Sequence, residues 1–235
     1  MANYENYSSR NRLSADSSTS LMTKVFGWQS LGLMISAVVA FFVATTPLLF
    51  KALVMNKVVF FGLMFGQLGL VLALGAMAHK MSYGAMVASF LGYAMMTGIT
   101  LSTIFIIYTM SSIAACFAIA AGMFGIMAVY GYVTKADLSS FGNIMFMGLI
   151  GVVIASLVNI FMRSQTMSYV LSFLSILIFT GLTAYDVQKI KSFRSFADDE
   201  ESVKKVAVLG ALTLYLDFLN IFLHLLFLLG GRRRD

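Results

Sequence analysis

Charge is what this sequence has least of. Only 11% of its 235 residues are Asp, Glu, Lys or Arg, a single proline and a single cysteine occur, and 60% of the residues are apolar. So little charge excludes an ordinary soluble domain, because no core absorbs that much apolar surface. The lone Cys116 excludes an intramolecular disulfide and leaves no metal-ligand spacing, which argues against redox chemistry. Without a soluble domain to carry a basic face, the formal charge of +6 does not indicate nucleic-acid binding. It reads instead as topology signals and contacts to anionic lipid headgroups.

What is present is long apolar runs. A crossing of about 30 Å of hydrocarbon needs about 20 mostly apolar residues, and seven such stretches occur, at about 25–46, 58–78, 83–108, 112–134, 143–163, 168–190 and 206–230. The third and fourth come from one uncharged stretch, Met81 to Thr134, divided at the polar break Tyr108 to Ser112. The expectation is an all-α integral membrane protein with seven transmembrane helices in one domain, residues 21–235, after a disordered polar tail, residues 1–20. No cleavable signal peptide is expected, since the first run is too long and follows a polar tail.

Orientation follows from Lys and Arg near the span ends. With the N-terminus inside, ten of them lie on the inner side and six on the outer, which favours an N-terminus in the cytoplasm. Arg232, Arg233 and Arg234 then stand outside, against the rule. A helical bundle with no organellar address or outer-membrane strand pattern suits a bacterial cytoplasmic (inner) membrane.

Two of the ten acidic residues lie within apolar runs, Asp186 in the sixth span and Asp217 in the seventh. An Asp at a helix centre costs about 2.5–3.5 kcal/mol on insertion, so each is expected to face a partner, the bundle interior or water. Consecutive spans pack as antiparallel neighbours, which lets the two form a dyad. The objection is depth, a mismatch of about 10 Å at 1.5 Å per residue. An earlier start of the last helix, near Asp199 in the acidic run Asp198-Asp199-Glu200-Glu201, would relieve it. If they meet, like charges in a poorly solvated site cannot both ionise cheaply, and the pair becomes proton-sensitive. A purely structural dyad, pinning two helices through one proton, is the plain alternative.

Asn220 and His224 lie three and seven positions past Asp217 on the same helical face, as candidate lining of one aqueous path; a histidine near a helix end more often bonds a carbonyl or a headgroup. Gln67, with Gly62 and Gly66 on a nearby face, fits helix packing better than substrate binding. The 17 methionines and 21 phenylalanines read as packing and lipid-facing residues, with no cofactor box among them.

The stretch Gly181-Leu182-Thr183-Ala184-Tyr185-Asp186-Val187-Gln188 and the stretch Leu214-Tyr215-Leu216-Asp217-Phe218-Leu219-Asn220-Ile221-Phe222 resemble the Bax inhibitor-1 family in its bacterial branch. Thr97 to Ser102 and Lys135 to Ser139 also fit, so the resemblance covers nearly everything past the tail. It implies six helices surrounding a central seventh, and an aspartate pair, here Asp186 and Asp217, acting as a pH sensor for a calcium leak; by ligand chemistry, the two carboxylates with Asn220 and water would make a weak, transient Ca²⁺ site. A bacterial relative latches the sixth-helix aspartate with an arginine at the inner end of the second helix. Ala78 stands there in this chain, with His79 and Lys80 beside it as candidate latches.

Three function classes follow. The leading one is a pH-sensitive cation leak, calcium first, gated by the aspartate pair. The second, also implied by the resemblance, is a membrane-embedded regulator of a membrane protease or stress response. The remote third is an intramembrane aspartyl protease. Tyr185-Asp186 fits half of that pattern, but Leu214-Tyr215-Leu216-Asp217 replaces its Gly-x-Gly-Asp and no Pro-Ala-Leu follows. A rhomboid-type serine site is weaker still, since no Gly-x-Ser-Gly occurs. Lipids, calcium or protons, and a protease are thus the expected partners, and no enzyme activity is expected.

Overall fold

Lipid offers no hydrogen-bond partner to a backbone, so each apolar run must satisfy its own as a helix. The computed structural model describes residues 2–193 and 199–233, with the backbone alone for residues 2–18 and His79. Its helices are α1 (Ala2–Thr45), the short α2 (Pro47–Phe50) running into a π-turn (Lys51–Met55), α3 (Lys57–Met77) with a 3-10 turn (Ala78–Lys80), α4 (Tyr83–Ile107), α5 (Met110–Val133), α6 (Ser139–Met162), α7 (Gln165–Phe193) and α8 (Glu200–Leu229). Among the described residues seven are long and apolar enough to cross a membrane, the first from Thr19.

Polar residues set the starts. Asn56 accepts from the amides of Val58 and Val59, Ser82 from Ala85, Thr109 from Ser112 and Asp199 from Ser202, each satisfying a free N–H of a first turn. The Ser202 hydroxyl, backed by that N–H, also holds the Asp199 carboxyl below its usual range. Two boundaries differ from expectation. Helix α8 begins at Glu200 rather than near 206, with Glu200 and Glu201 in its first turn paired to Lys204 and Lys205 at 2.8 and 2.9 Å. Helix α1 begins at Ala2, so the backbone of residues 2–20 is helical where a disordered tail is expected. No Gly or Pro precedes Gly27, and once the span nucleates a helix nothing stops its extension.

Helix α8 is the most buried of the seven and stands at the centre. Helices α1, α4, α5 and α7 pack directly against it, while α3 joins through α4 and α6 through α7. Tyr215 fixes one face of α8: its ring meets the edges of Phe90 and Tyr93 at 6.0 and 5.9 Å, and its hydroxyl lies 2.6 Å from Ser36 Oγ, which in turn donates to the Ala94 carbonyl at 2.8 Å. Gln67 donates to the Met96 carbonyl of α4 at 3.2 Å, as a packing residue would. Gly66 faces Met96, whereas Gly62 has open space before it.

The two ends of the bundle are tied differently. At the N-terminal end Thr19 Oγ1 meets the Tyr132 hydroxyl at 3.0 Å. At the opposite end the segment after α8 pairs with the α4–α5 turn, Thr109 N–H donating to the Gly231 carbonyl at 3.0 Å and Arg233 N–H to Ile107 at 2.9 Å. An odd number of crossings places the chain ends at opposite ends in this way.

Backbone approach is closest where glycines sit. A Cβ on Gly98 would lie 2.7 Å from both the Ser36 carbonyl and Val39 Cβ, and one on Gly131 would strike the Ala184 carbonyl. Small residues at such crossings let helices pack without a hydrophobic drive between them. Gly98→Val is expected to push α1 from α4 and destabilise the protein by about 1–3 kcal/mol, whereas Gly92→Val, with nothing within 4 Å of its added Cβ, is expected to be tolerated; thermal unfolding in nanodiscs distinguishes the two.

Candidate functional site

Asp186 and Asp217 come together because of where α8 starts. Ile190 of α7 packs on Gly210 of α8, a register that sets Asp186 one turn from Asp217, an offset of about 4–5 Å at 1.5 Å per residue. Asp217 is only 4% exposed, and its Oδ2 is buried without a donor. Asp186, half-buried, lines the same cavity on the facing helix. A carboxylate only accepts, so two carboxyls bond one another only while one of them carries a proton.

Both acids line a cavity of about 510 Å³ between α6, α7 and α8, together with Asn143, Thr213, Asn220 and Lys189. A smaller cavity of about 250 Å³ shares Asp186, Lys189 and Thr213 and extends past Phe193 and Val206 toward the N-terminal end. Glycines again shape the wall. Gly142 of α6 lies against the Tyr185 ring, and Gly181 of α7 against Met145 and Phe141. No group of three or more His, Cys, Asp or Glu side chains suited to hold a metal occurs among the described residues.

The other expected site residues separate. Asn220 lines the acidic cavity, its amide donating to the Leu216 carbonyl at 2.8 Å. His224 does not, and lines a different cavity nearer the opposite end. Seven residues along a helix is about 10 Å, so a shared face does not mean a shared depth. Lys80 is exposed and lines neither acidic cavity; the His79 side chain lies outside the described residues. The cation beside the acids is Lys189, one turn from Asp186, its ammonium 5.5 Å from the Tyr185 ring. Its i, i+3 spacing from Asp186 was the available signal.

Gln188, next to Lys189, ties α7 to the α5–α6 loop. Its Oε1 accepts from Leu138 N–H at 2.9 Å and its Nε2 donates to the Ala136 carbonyl at 2.8 Å. Lys191 adds a bond to the Tyr132 carbonyl at 2.8 Å and stacks over that ring at 4.5 Å. Asp137 accepts from Ser139 N–H at 2.9 Å, and the Ser139 hydroxyl, backed by that bond, holds its carboxyl below the usual range. Its contribution is therefore present above the ordinary carboxylate pKa and lost as pH falls through the lowered value.

These features define a polytopic helical membrane protein whose central helix carries a buried carboxyl against a second one. The family model described as "Inhibitor of apoptosis-promoting Bax1" matches residues 18–234. Inner membrane protein YbhL of Escherichia coli strain K12 is 47% identical over 214 residues, 90% of this chain and 92% of its own. An uncharacterized protein of Borreliella burgdorferi is 46% identical over 91% of this chain and 93% of its own, and one of Rickettsia prowazekii 40% identical over 90% and 89%. The chain belongs to the Bax inhibitor-1 family.

Replacing Gln188 by Ala is expected to free the loop 134–138 and cost about 1–3 kcal/mol for the two lost bonds. Hydrogen exchange should report faster amide exchange at Leu138, with the amides of α8 unchanged.

Proposed function

We propose that this chain is a cation leak, calcium first, of a bacterial inner membrane, with its N-terminus in the cytoplasm and its conduction set by the protonation of Asp186 and Asp217. The observation that carries the reading is that both carboxyls line one cavity with the oxygen-bearing Asn143, Thr213 and Asn220. Calcium takes about 6–8 oxygen ligands. Two carboxylates, amide and hydroxyl oxygens and water make a labile site, and conduction requires an ion to leave as readily as it enters. When the pair shares a proton, one negative charge and one ligand are removed, and the path answers to pH. Lys189 takes the part expected of Lys80: lying beside Asp186, it competes with a passing cation for that carboxylate. The cytoplasmic N-terminus rests on the ten inner against six outer basic residues, and the inner-membrane location on the name of the Escherichia coli relative.

A second reading, regulation of a membrane protease, rests on α3 and α6, the two spans least buried by the rest of the chain. Their uncovered faces suit another helix as well as lipid. A protein that conducts nothing alone but co-purifies with a protease and alters its degradation rate would favour it. Against an aspartyl protease stands the replacement of Gly-x-Gly-Asp by Leu214-Tyr215-Leu216-Asp217.

In proteoliposomes loaded with a calcium dye, the wild-type flux is expected to change with pH and Asp217→Asn to flatten that dependence. A flux that is flat across pH and indifferent to the substitution overturns the reading. Lys189→Gln is expected to raise flux at neutral pH about two- to fivefold, the effect of a partly exposed charge worth up to about 1 kcal/mol.

A further inference from the structure

The end of the bundle opposite the N-terminus holds a larger cavity, about 780 Å³, bounded by α6, α7, α8 and the segment after α8. Its polar lining includes Arg163, Arg232, His224, Asn159, Gln165 and Ser168. The charge in it has one sign. Among the described residues no Asp or Glu lines it, and the salt bridges both lie elsewhere, on the first turns of α8.

The two arginines are held in place by their backbones. Arg163 ends α6 at φ 53°, the one non-glycine residue at positive φ among the described residues. Its N–H donates to the Asn159 carbonyl at 2.7 Å. The Asn159 side chain accepts from Ser164 N–H at 3.1 Å and donates to Ser168 Oγ at 2.9 Å, bracing the same corner. Arg232 is bridged to Tyr108, and its neighbours Gly231 and Arg233 bond the α4–α5 turn. A loose basic tail would only sample the headgroup region. Here two separate stretches of chain bring an arginine each to the rim of one cavity.

We propose that this cavity binds a phosphate-class oxyanion between Arg163 and Arg232, with His224 and the neighbouring amide and hydroxyl groups completing its shell. Guanidinium forks match phosphate oxygens two at a time, and either tautomer of a neutral imidazole presents one N–H. The oxyanion belongs either to an anionic lipid headgroup or to free phosphate. The lining also contains Leu171, Leu223 and Phe227, apolar surface suited to the glycerol and first methylenes below a headgroup. This site shares no lining residue with the acidic cavity, and it stands whether or not the chain conducts cations.

The full-length protein, purified in detergent, is offered equimolar phosphatidylglycerol and phosphatidylcholine, and the retained lipid is read by native mass spectrometry. In parallel, inorganic phosphate is titrated calorimetrically into protein in phosphatidylcholine nanodiscs. Expected is a preference for phosphatidylglycerol that falls about tenfold or more in R163Q/R232Q, the loss of charge-assisted bonds, and persists in K51Q/K57Q, which removes two charges from the same end. Arg163→Gly suits the left-handed backbone and, paired with R232Q, gives the same readout should Gln at 163 disturb folding. Phosphate binding that the arginine variants abolish, without a lipid preference, identifies free phosphate as the occupant. The proposal is overturned if the wild type neither prefers phosphatidylglycerol nor binds phosphate, or if K51Q/K57Q lowers the binding as much as R163Q/R232Q does.

Discussion

A carboxyl group buried on the central helix, with one oxygen lacking any donor, constrains the rest of this molecule. An ionised Asp217 with no positive partner in hydrocarbon is the arrangement that buried-charge energetics penalise most. The acid that shares its cavity is another carboxyl, Asp186, and two carboxyls bond one another only through a shared proton. Helix α8 must therefore keep the rotation that presents Asp217 to α7. The Tyr215 hydroxyl on Ser36, two residues away and so on nearly the opposite face, fixes the same rotation from the side of α1 and α4. Polar anchors on two faces, rather than apolar packing alone, settle how the central helix is turned.

Close helix approach keeps the wall beside that pair rigid. Gly131 of α5 under the Ala184 carbonyl, Gly142 of α6 under the Tyr185 ring and Gly181 against Met145 press α7 from two neighbours along the turn that precedes and includes Asp186. Just beyond it the Gln188 clamp and the Lys191 bond fasten α7 to the end of α5 and the loop after it. Residues 181–191 thus fix the position of α7 around Asp186. That explains in physical terms why so much of the family resemblance falls on small and amide residues around the acid.

The seven spans were legible because hydrocarbon thickness dictates their length, and the division at Tyr108 to Ser112 because an uncharged stretch of twice that length must turn where polar groups cluster. The α8 start was half legible. Hydropathy places it near 206, while the cap Asp199 and its acidic first turn place it at Glu200, and the capping chemistry prevails because the first turns of α8 lie on the polar side of its apolar stretch. The meeting of Asp186 with Asp217 depends on that shift. Less of the site could be read. His224 shares a face with Asp217 but not a depth, and Lys189 was hidden among inner-side charges counted only for topology. The pairing of Gly231 and Arg233 with the α4–α5 turn uses backbone groups, which leave no trace in residue type.

One stripe of α8 lines both cavities: Thr213, Asp217 and Asn220 the acidic one, Leu223, His224 and Phe227 the basic one. On the proposed leak, a cation moving from the aspartates toward the opposite end passes the cavity lined by Arg163 and Arg232. Both arginines are exposed, so solvent screens much of the electrostatic barrier they raise. An oxyanion held between Arg163 and Arg232 cancels most of that barrier. Arg163 and Arg232, the latter placed against the orientation rule, then act as the seat of a counter-charge. Under the two proposals, occupancy of the basic cavity and conduction past the acidic one influence each other through electrostatics.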